Sequence, residues 1–218
     1  MSGLKNPKMT GTSDADVIAL LKRYKCPTPF HEVRTRFLGN IASPVIGASP
    51  IEAVKQLWGG DLPEFDSTEA VNELLNALVA GLWNRLTAHQ SSRNPFRLLR
   101  FDVAHTREGL KHLALVRRQE LDGFVEGLFG REEHIDLPER AHEAVGVLAE
   151  IRAMLAGVIN LLDDSSKPAE PDELKGLIRN IQELTIIAEK EMNKTNVSCK
   201  RARGRLLEQM PATKPTLH

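Results

Sequence analysis

Aromatic residues are scarce in this chain of 218 residues, which contains seven Phe, two Trp and one Tyr. Strands are enriched in aromatic side chains, and proteins that stack bases on a sheet depend on them. The composition therefore argues against an all-β sandwich, a base-stacking sheet and an aromatic groove for carbohydrate.

Cysteine, net charge and long apolar runs are also missing. Cys26 and Cys199 lie far apart and form no C-x-x-C pair, so nothing indicates an oxidising compartment. The 29 basic and 29 acidic residues cancel, which removes net charge as an argument for a nucleic-acid or membrane partner. The N-terminus lacks the apolar core of a signal peptide, and no run of about 18 uninterrupted apolar residues occurs. We expect a cytoplasmic protein that has no membrane partner.

What the chain does contain is helical periodicity with recognisable start signals. Apolar residues recur at three- and four-residue spacing, most clearly over residues 71–86. Ser13, the Ser49-Pro50 pair and Ser67 stand where helix caps belong, and no stretch is typical of a strand. We predict an all-α fold, a single-core bundle of five to six helices with a long C-terminal helix.

The same patterns predict how the chain is divided. Polar ends indicate a disordered N-terminus over residues 1–12 and a disordered tail over residues 210–218. Between them we expect a helical core domain over residues 13–162, an acidic, proline-containing linker over 163–171 and the C-terminal helix over 172–209.

Charge is arranged in blocks although it cancels overall. Residues 121–173 carry a net charge of −9 and residues 174–218 a net charge of +5. Blocks of opposite charge can direct the docking of helices and partners, which favours protein contacts over simple phosphate binding. The alternative is that these are ordinary charged faces of surface helices.

A proline-flanked segment after Cys26 is a candidate partner surface. Phe30 and Phe37 fall on one apolar helical face, while Arg34 and Arg36 point elsewhere. One interpretation is a groove for a peptide or a partner helix. The other is a helix packed over the core, because apolar helical stripes usually belong to the core.

A second candidate surface is a basic stretch near the C-terminus. Its cations include Lys200, Arg201, Arg203 and Arg205, and no acid lies between Met192 and Leu207. Such a stretch can contact an acidic protein or nucleic-acid phosphates, but it has no interleaved aromatics for stacking. The alternative is a solvated, frayed tail. The C-terminal helix is also a possible homodimer contact.

Metal and catalytic motifs are weak. Glu139 and His142 have the Glu-x-x-His spacing that helical bundles use for metal ligands, with Glu108 or His112 as possible further ligands. A capping role explains Glu139 equally well. Cys26 with His31 is a possible nucleophile and base, although a Cys and a His that are close in sequence rarely form a catalytic pair. We predict no catalytic residues and no cofactor.

Two short patterns resemble the YecA/YgfB-like family of small all-helical bacterial proteins. Phe65-Asp66 leads into a helix that ends in Trp83-Asn84, and Gly123-Phe124-Val125-Glu126-Gly127 is similar to that family's Gly-Phe-x-x-Gly turn. The chain departs from the family in having no tryptophan before Gly123 and no cysteine-rich zinc tail. The resemblance implies an all-α fold and a regulatory binding role, with no catalytic residues.

These observations favour a non-enzymatic regulator or adaptor that binds another protein. Two other functions stay open. One is a metal-binding bundle or enzyme that uses Glu139 and His142, and the other is a nucleic-acid-associated protein that uses the basic C-terminal stretch.

Overall fold

The computed structural model describes residues 12–47, 49–132, 134–164, 166 and 170–209. Residues 1–11 and 210–218 of the predicted end segments, and part of the predicted linker, lie outside this range. The helices in chain order are α1 (Asp14–Arg23), α2 (Phe30–Ala42), α3 (Pro50–Gln56), α4 (Thr68–Leu75), a π-helical segment (Asn76–Trp83), α5 (Asn84–Thr87), α6 (Arg107–Phe129), α7 (Glu139–Asp163) and α8 (Pro171–Gln209).

The predicted class is confirmed: the described chain is an all-helical bundle with a long C-terminal helix. Buried residues from every long helix join one core. Because α4, the π-helical segment and α5 follow one another without a break, the described part has seven helices rather than five or six. The additional helix is α2, which lies in the proline-flanked segment after Cys26.

Most helices begin where their capping residues stand. The Ser13 side chain accepts a hydrogen bond from the Asp16 backbone N–H, and the Ser49 and Thr106 side chains cap α3 and α6 in the same way. Helix α6 ends at Gly130, whose φ of 60° lies in the region that favours glycine. Local chemistry therefore explains the helix boundaries.

The closest packing in the molecule is between α2 and α6, and it depends on glycine. A Cβ added to Gly39 of α2 would lie 2.1 Å from the Phe124 carbonyl oxygen of α6. A Cβ added to Gly127 of α6 would lie 2.0 Å from the Arg36 carbonyl oxygen of α2. The Asn40 side chain also donates to the Gly127 carbonyl at 2.8 Å. The backbones of the two helices thus touch, and any side chain at these glycines would separate them.

The segment over residues 95–101 is neither helix nor strand; it lies between α6 and α8 and is held by side chains of both. Asn193 of α8 accepts from the Phe96 N–H at 2.7 Å and donates to the Phe96 carbonyl at 3.0 Å. The buried carboxylate of Glu189 accepts from the Leu98 N–H at 2.9 Å. These bonds satisfy backbone groups that would otherwise be buried without partners.

Helices α7 and α8 form an antiparallel pair on the outside of the bundle. The start of α7 lies beside the second half of α8, where Lys194 pairs with Glu143 at 3.3 Å. Helix α7 is long and apolar enough to cross a membrane by length and composition. In its most apolar stretch of 18 residues, 28% is buried. In this structure α7 packs on α6 and α8, and its Arg152 pairs with Asp122 of α6.

We predict opposite effects from two glycine substitutions. Gly127→Ala forces α2 and α6 apart and should lower the free energy of unfolding by about 1–3 kcal/mol or more. Gly176→Ala, in α8, places its methyl group in open space and should raise it by up to about 1 kcal/mol. Urea unfolding followed by circular dichroism measures both values. Equal stability of the two variants would contradict the α2–α6 contact described above.

Candidate functional site

The strongest candidate site is a groove of about 580 Å³ along the outward face of α8. We call it the basic groove. Its walls come from Ser92 and Pro95 on one segment and from Pro138 and Arg140 at the start of α7. The remainder of its lining belongs to α8: Lys190, Asn193, Lys194, Val197, Ser198, Arg201, Ala202 and Arg205.

The cations of α8 form one stripe because of their spacing. Lys190, Lys194, Arg201 and Arg205 stand at positions i, i+4, i+11 and i+15, which fall on the same face of a helix. At about 1.5 Å per residue the stripe is about 22 Å long. Val197 lies between the two pairs, so the groove has cationic ends and an apolar middle.

The charge of the basic groove is not neutralised by the described part of the chain. Arg140, Lys190, Arg201 and Arg205 make no ion pair with any described residue, and no described acid lines the groove. Lys194 differs, since it pairs with Glu143 and with Glu191. Neighbouring like charges destabilise a helix by about 0.2–0.5 kcal/mol per pair. An anionic partner would remove this repulsion.

The structure divides the predicted basic stretch into residues that face the groove and residues that bind backbone carbonyls. Arg201 and Arg205 face the basic groove. Arg203 instead donates from Nη1 to the carbonyl oxygens of Ile41 and Ser43, at 3.1 and 2.6 Å, at the end of α2. Lys200 donates to the Gln90 carbonyl at 3.1 Å. Through residue 209 the stretch is helical, so the frayed tail considered as an alternative is not what these residues form.

The groove is positioned by two buried carboxylates under α8. Glu189 accepts from Arg97 and Arg100, each at 2.7 Å, in addition to the Leu98 N–H. Glu120 of α6 accepts from the Leu99 N–H at 2.8 Å and pairs with Arg117. Burial raises the pKa of Glu120, and Arg117 and the Leu99 N–H oppose that shift. The network fixes α8 against the segment that carries Pro95.

The α2 residues predicted as a partner surface lie largely inside the fold. Phe37 is fully buried and meets Trp83 edge-on, so its side chain belongs to the core and cannot contact a partner. Phe30 is half-buried against the same core. Arg34 lies over the Phe96 ring at 5.0 Å, and Arg36 pairs with Glu32 at 2.8 Å. These positions match the interpretation of a helix packed over the core.

A second cleft, of about 700 Å³, lies between α2, α3 and the end of α6. It is lined by cations and acids in similar number. Arg36 is already paired within it to Glu126, and Arg131 to Glu52 at 3.5 Å. Since its charges balance internally, this cleft has less electrostatic preference for a ligand than the basic groove.

The structure separates the candidate metal ligands. Glu139 and His142 are exposed at the start of α7. Lys111, beside Glu108 and His112, pairs with Asp163 at the other end of α7, about 36 Å away along a 25-residue helix. The four residues therefore cannot share one ion. In the described chain no group of three or more His, Cys, Asp or Glu residues is placed to hold a metal.

Cys26 and His31 each have other partners. The Cys26 thiol lies 3.7 Å from the Leu57 carbonyl, and His31 Nε2 lies 2.9 Å from Gln119 Oε1. Burial raises the pKa of the Cys26 thiol. It also raises the pKa of the Cys199 thiol, to about 11. Since the thiolate is the nucleophile, both environments disfavour it.

Reasoning from the sequence missed Arg140 and Lys190 as parts of the site. Lys190 could have been found, because it shares the four- and eleven-residue spacing of Lys194 and Arg201. Arg140 could not, because it is 50 residues earlier and reaches the groove only through the pairing of α7 with α8.

We predict that the two arginine classes differ in their effect on stability. Arg203→Met removes a charged donor from two carbonyl oxygens and should lower the free energy of unfolding by about 1–2 kcal/mol. Arg201→Met removes no such contact and should change it by less than about 0.5 kcal/mol. Chemical denaturation of both variants beside the unaltered protein checks this. A larger loss at Arg201 than at Arg203 would contradict the division of the basic stretch.

Comparison with known proteins adds no further constraint. No protein-family model, curated protein or solved structure matches this chain. The resemblance to the YecA/YgfB-like family stays a prediction based on two short patterns. The structure does give those two glycines, Gly123 and Gly127, a physical role, because both face the α2 backbone too closely for a side chain.

Proposed function

We propose that this protein is a non-enzymatic regulator or adaptor that binds an acidic segment of a partner protein in the basic groove. The observation that carries the proposal is the set of cations in the groove, four of which have no partner in the described chain. The proposal places the protein in the cytoplasm, where its two free cysteines suit a reducing compartment.

The shape of the site supports a protein partner. Pro95, Pro138, Val197 and Ala202 give the groove apolar surface between its cations. An acidic segment with an apolar residue at its centre would match both features. Each exposed ion pair contributes only about 0.2–1 kcal/mol, so we expect affinity in the micromolar range, about −8 kcal/mol, with much of it from the apolar contact.

Nucleic acid is the competing ligand, since unpaired cations also bind phosphates. Two observations favour protein over it. The lining contains no aromatic side chain for base stacking. The chain has no net positive charge that would attract a long polyanion beyond the groove.

The test uses two defined probes of equal charge, a fluorescein-labelled Glu-rich peptide with a central Leu and a single-stranded oligonucleotide. We predict that the peptide binds and that Arg201→Glu/Arg205→Glu weakens its binding about tenfold or more, because both cations face the groove. Fluorescence anisotropy at low and high salt measures the affinities, and binding should fall as salt rises.

The matched control is Lys22→Glu/Lys25→Glu, which makes the same change of charge at two exposed lysines, one in the last turn of α1 and one just after it. It should bind the peptide as the unaltered protein does. Equal weakening by both double variants would mean that only overall charge matters, and the groove would be rejected. Tighter, groove-dependent binding of the oligonucleotide would replace the proposal with nucleic-acid binding.

A further inference from the structure

The outward face of α7 carries acids at the same spacing as the cations of α8. Glu139, Glu143 and Glu150 stand at positions i, i+4 and i+11, and all three are exposed. Lys190, Lys194 and Arg201 of α8 have the same i, i+4, i+11 spacing. Two helix faces of opposite charge and equal spacing therefore lie side by side on the same outer layer of the bundle.

The outward face of α7 also exposes apolar side chains to solvent. In its most apolar window only 28% of the residues are buried, and Met154 and Leu161 are 52% and 43% exposed. Gly146, between Glu143 and Glu150, has nothing within 4 Å of the position of a Cβ. A neighbouring helix can approach closely at such a position. Exposed apolar surface of this kind marks an interaction site.

We propose that a second copy of this chain covers both faces, with α7 of each protomer lying on the α8 groove of the other. A twofold axis parallel to the two helices produces this arrangement, since it exchanges their positions and keeps every residue at its own height along the axis. The same patch then serves on both protomers. The second copy covers the part of the basic groove between Lys190 and Arg201, so an acidic partner must displace it to fill the groove.

A contact within one chain determines which residues of α7 and α8 lie opposite each other across the interface. Lys194 and Glu143 pair at 3.3 Å and so lie at the same height. Counting along the antiparallel helices places Glu150 level with Ile187 and Glu139 level with Ser198, each three residues, or about 4.5 Å, from a cation. Lys190 and Arg201 are those cations, and their side chains can span one turn. The symmetry therefore joins Glu150 to Lys190 and Glu139 to Arg201 across the interface.

The available area is sufficient for a stable dimer. Two adjacent helices present a layer about 20 Å wide, and the 25 residues of α7 extend about 37 Å. Covering this layer on both protomers buries about 1,200–1,500 Å² in total, which falls within the size range of specific protein interfaces.

A charge exchange between the two helices tests the dimer. The α7 variant is Glu139→Lys/Glu150→Lys and the α8 variant is Lys190→Glu/Arg201→Glu; none of these four residues has an ion pair within the described chain. We expect the unaltered protein to sediment at twice the 24.2 kDa of one chain and each variant alone to dimerise about tenfold or more weakly. An equimolar mixture of the variants should restore the dimer, because opposite charges then face each other at both contacts. Analytical ultracentrifugation measures all four samples.

Two results would overturn the proposal: a monomeric unaltered protein, or a dimer that both variants form as well as the unaltered protein does. The proposed function is tested separately, because the α7 variant keeps the basic groove and should still bind the Glu-rich peptide. A monomeric α7 variant that binds no peptide would reject the function, because its groove is intact and uncovered, and it would leave the dimer of the unaltered protein standing. An unaltered protein that is monomeric and binds the peptide would reject the dimer and support the function.

Discussion

The position of α8 depends on the buried carboxylate of Glu189. It accepts hydrogen bonds from Arg97, Arg100 and the Leu98 N–H, and it does so with a side chain that is almost fully enclosed. A buried charge is tolerated only when it is paired and hydrogen-bonded, so the segment over residues 95–101 and α8 must keep their relative position. The basic groove exists because α8 and Pro95 are held at a fixed distance, and its walls would separate if that carboxylate lost its partners.

This arrangement uses cations in two different ways. Arg97, Arg100 and Arg203 are bound to a carboxylate or to backbone carbonyls and hold the bundle together. Arg201 and Arg205, on the same helix as Arg203, are bound to nothing in the described chain and face outward. Arg203 is two residues from Arg201 and from Arg205, a rotation of about 200° in a helix, so it points to nearly the opposite side. Cations that hold the fold together and cations that face solvent therefore alternate within five residues.

The sequence predicts the local features well and the distant contacts poorly. Ser49 and Ser67 mark helix starts because capping is decided by a few adjacent residues. The π-helical turn over Asn76–Trp83 was not predicted, because apolar spacing alone does not distinguish it from an α-helix. Acids are assumed to be exposed, so Glu189 gave no sign of its burial. Phe37 could be assigned to the core only once α6 was seen to cover α2.

The most direct test of the central claim, that the groove on α8 is the binding surface, is amide hydrogen exchange with and without the Glu-rich peptide. Bound peptide should slow exchange in residues 190–205 and at the start of α7 around Arg140, where the groove is lined. Little change is expected in α2, which lies in the interior of the fold. Protection centred on the cleft between α2, α3 and α6, with none along α8, would contradict the account.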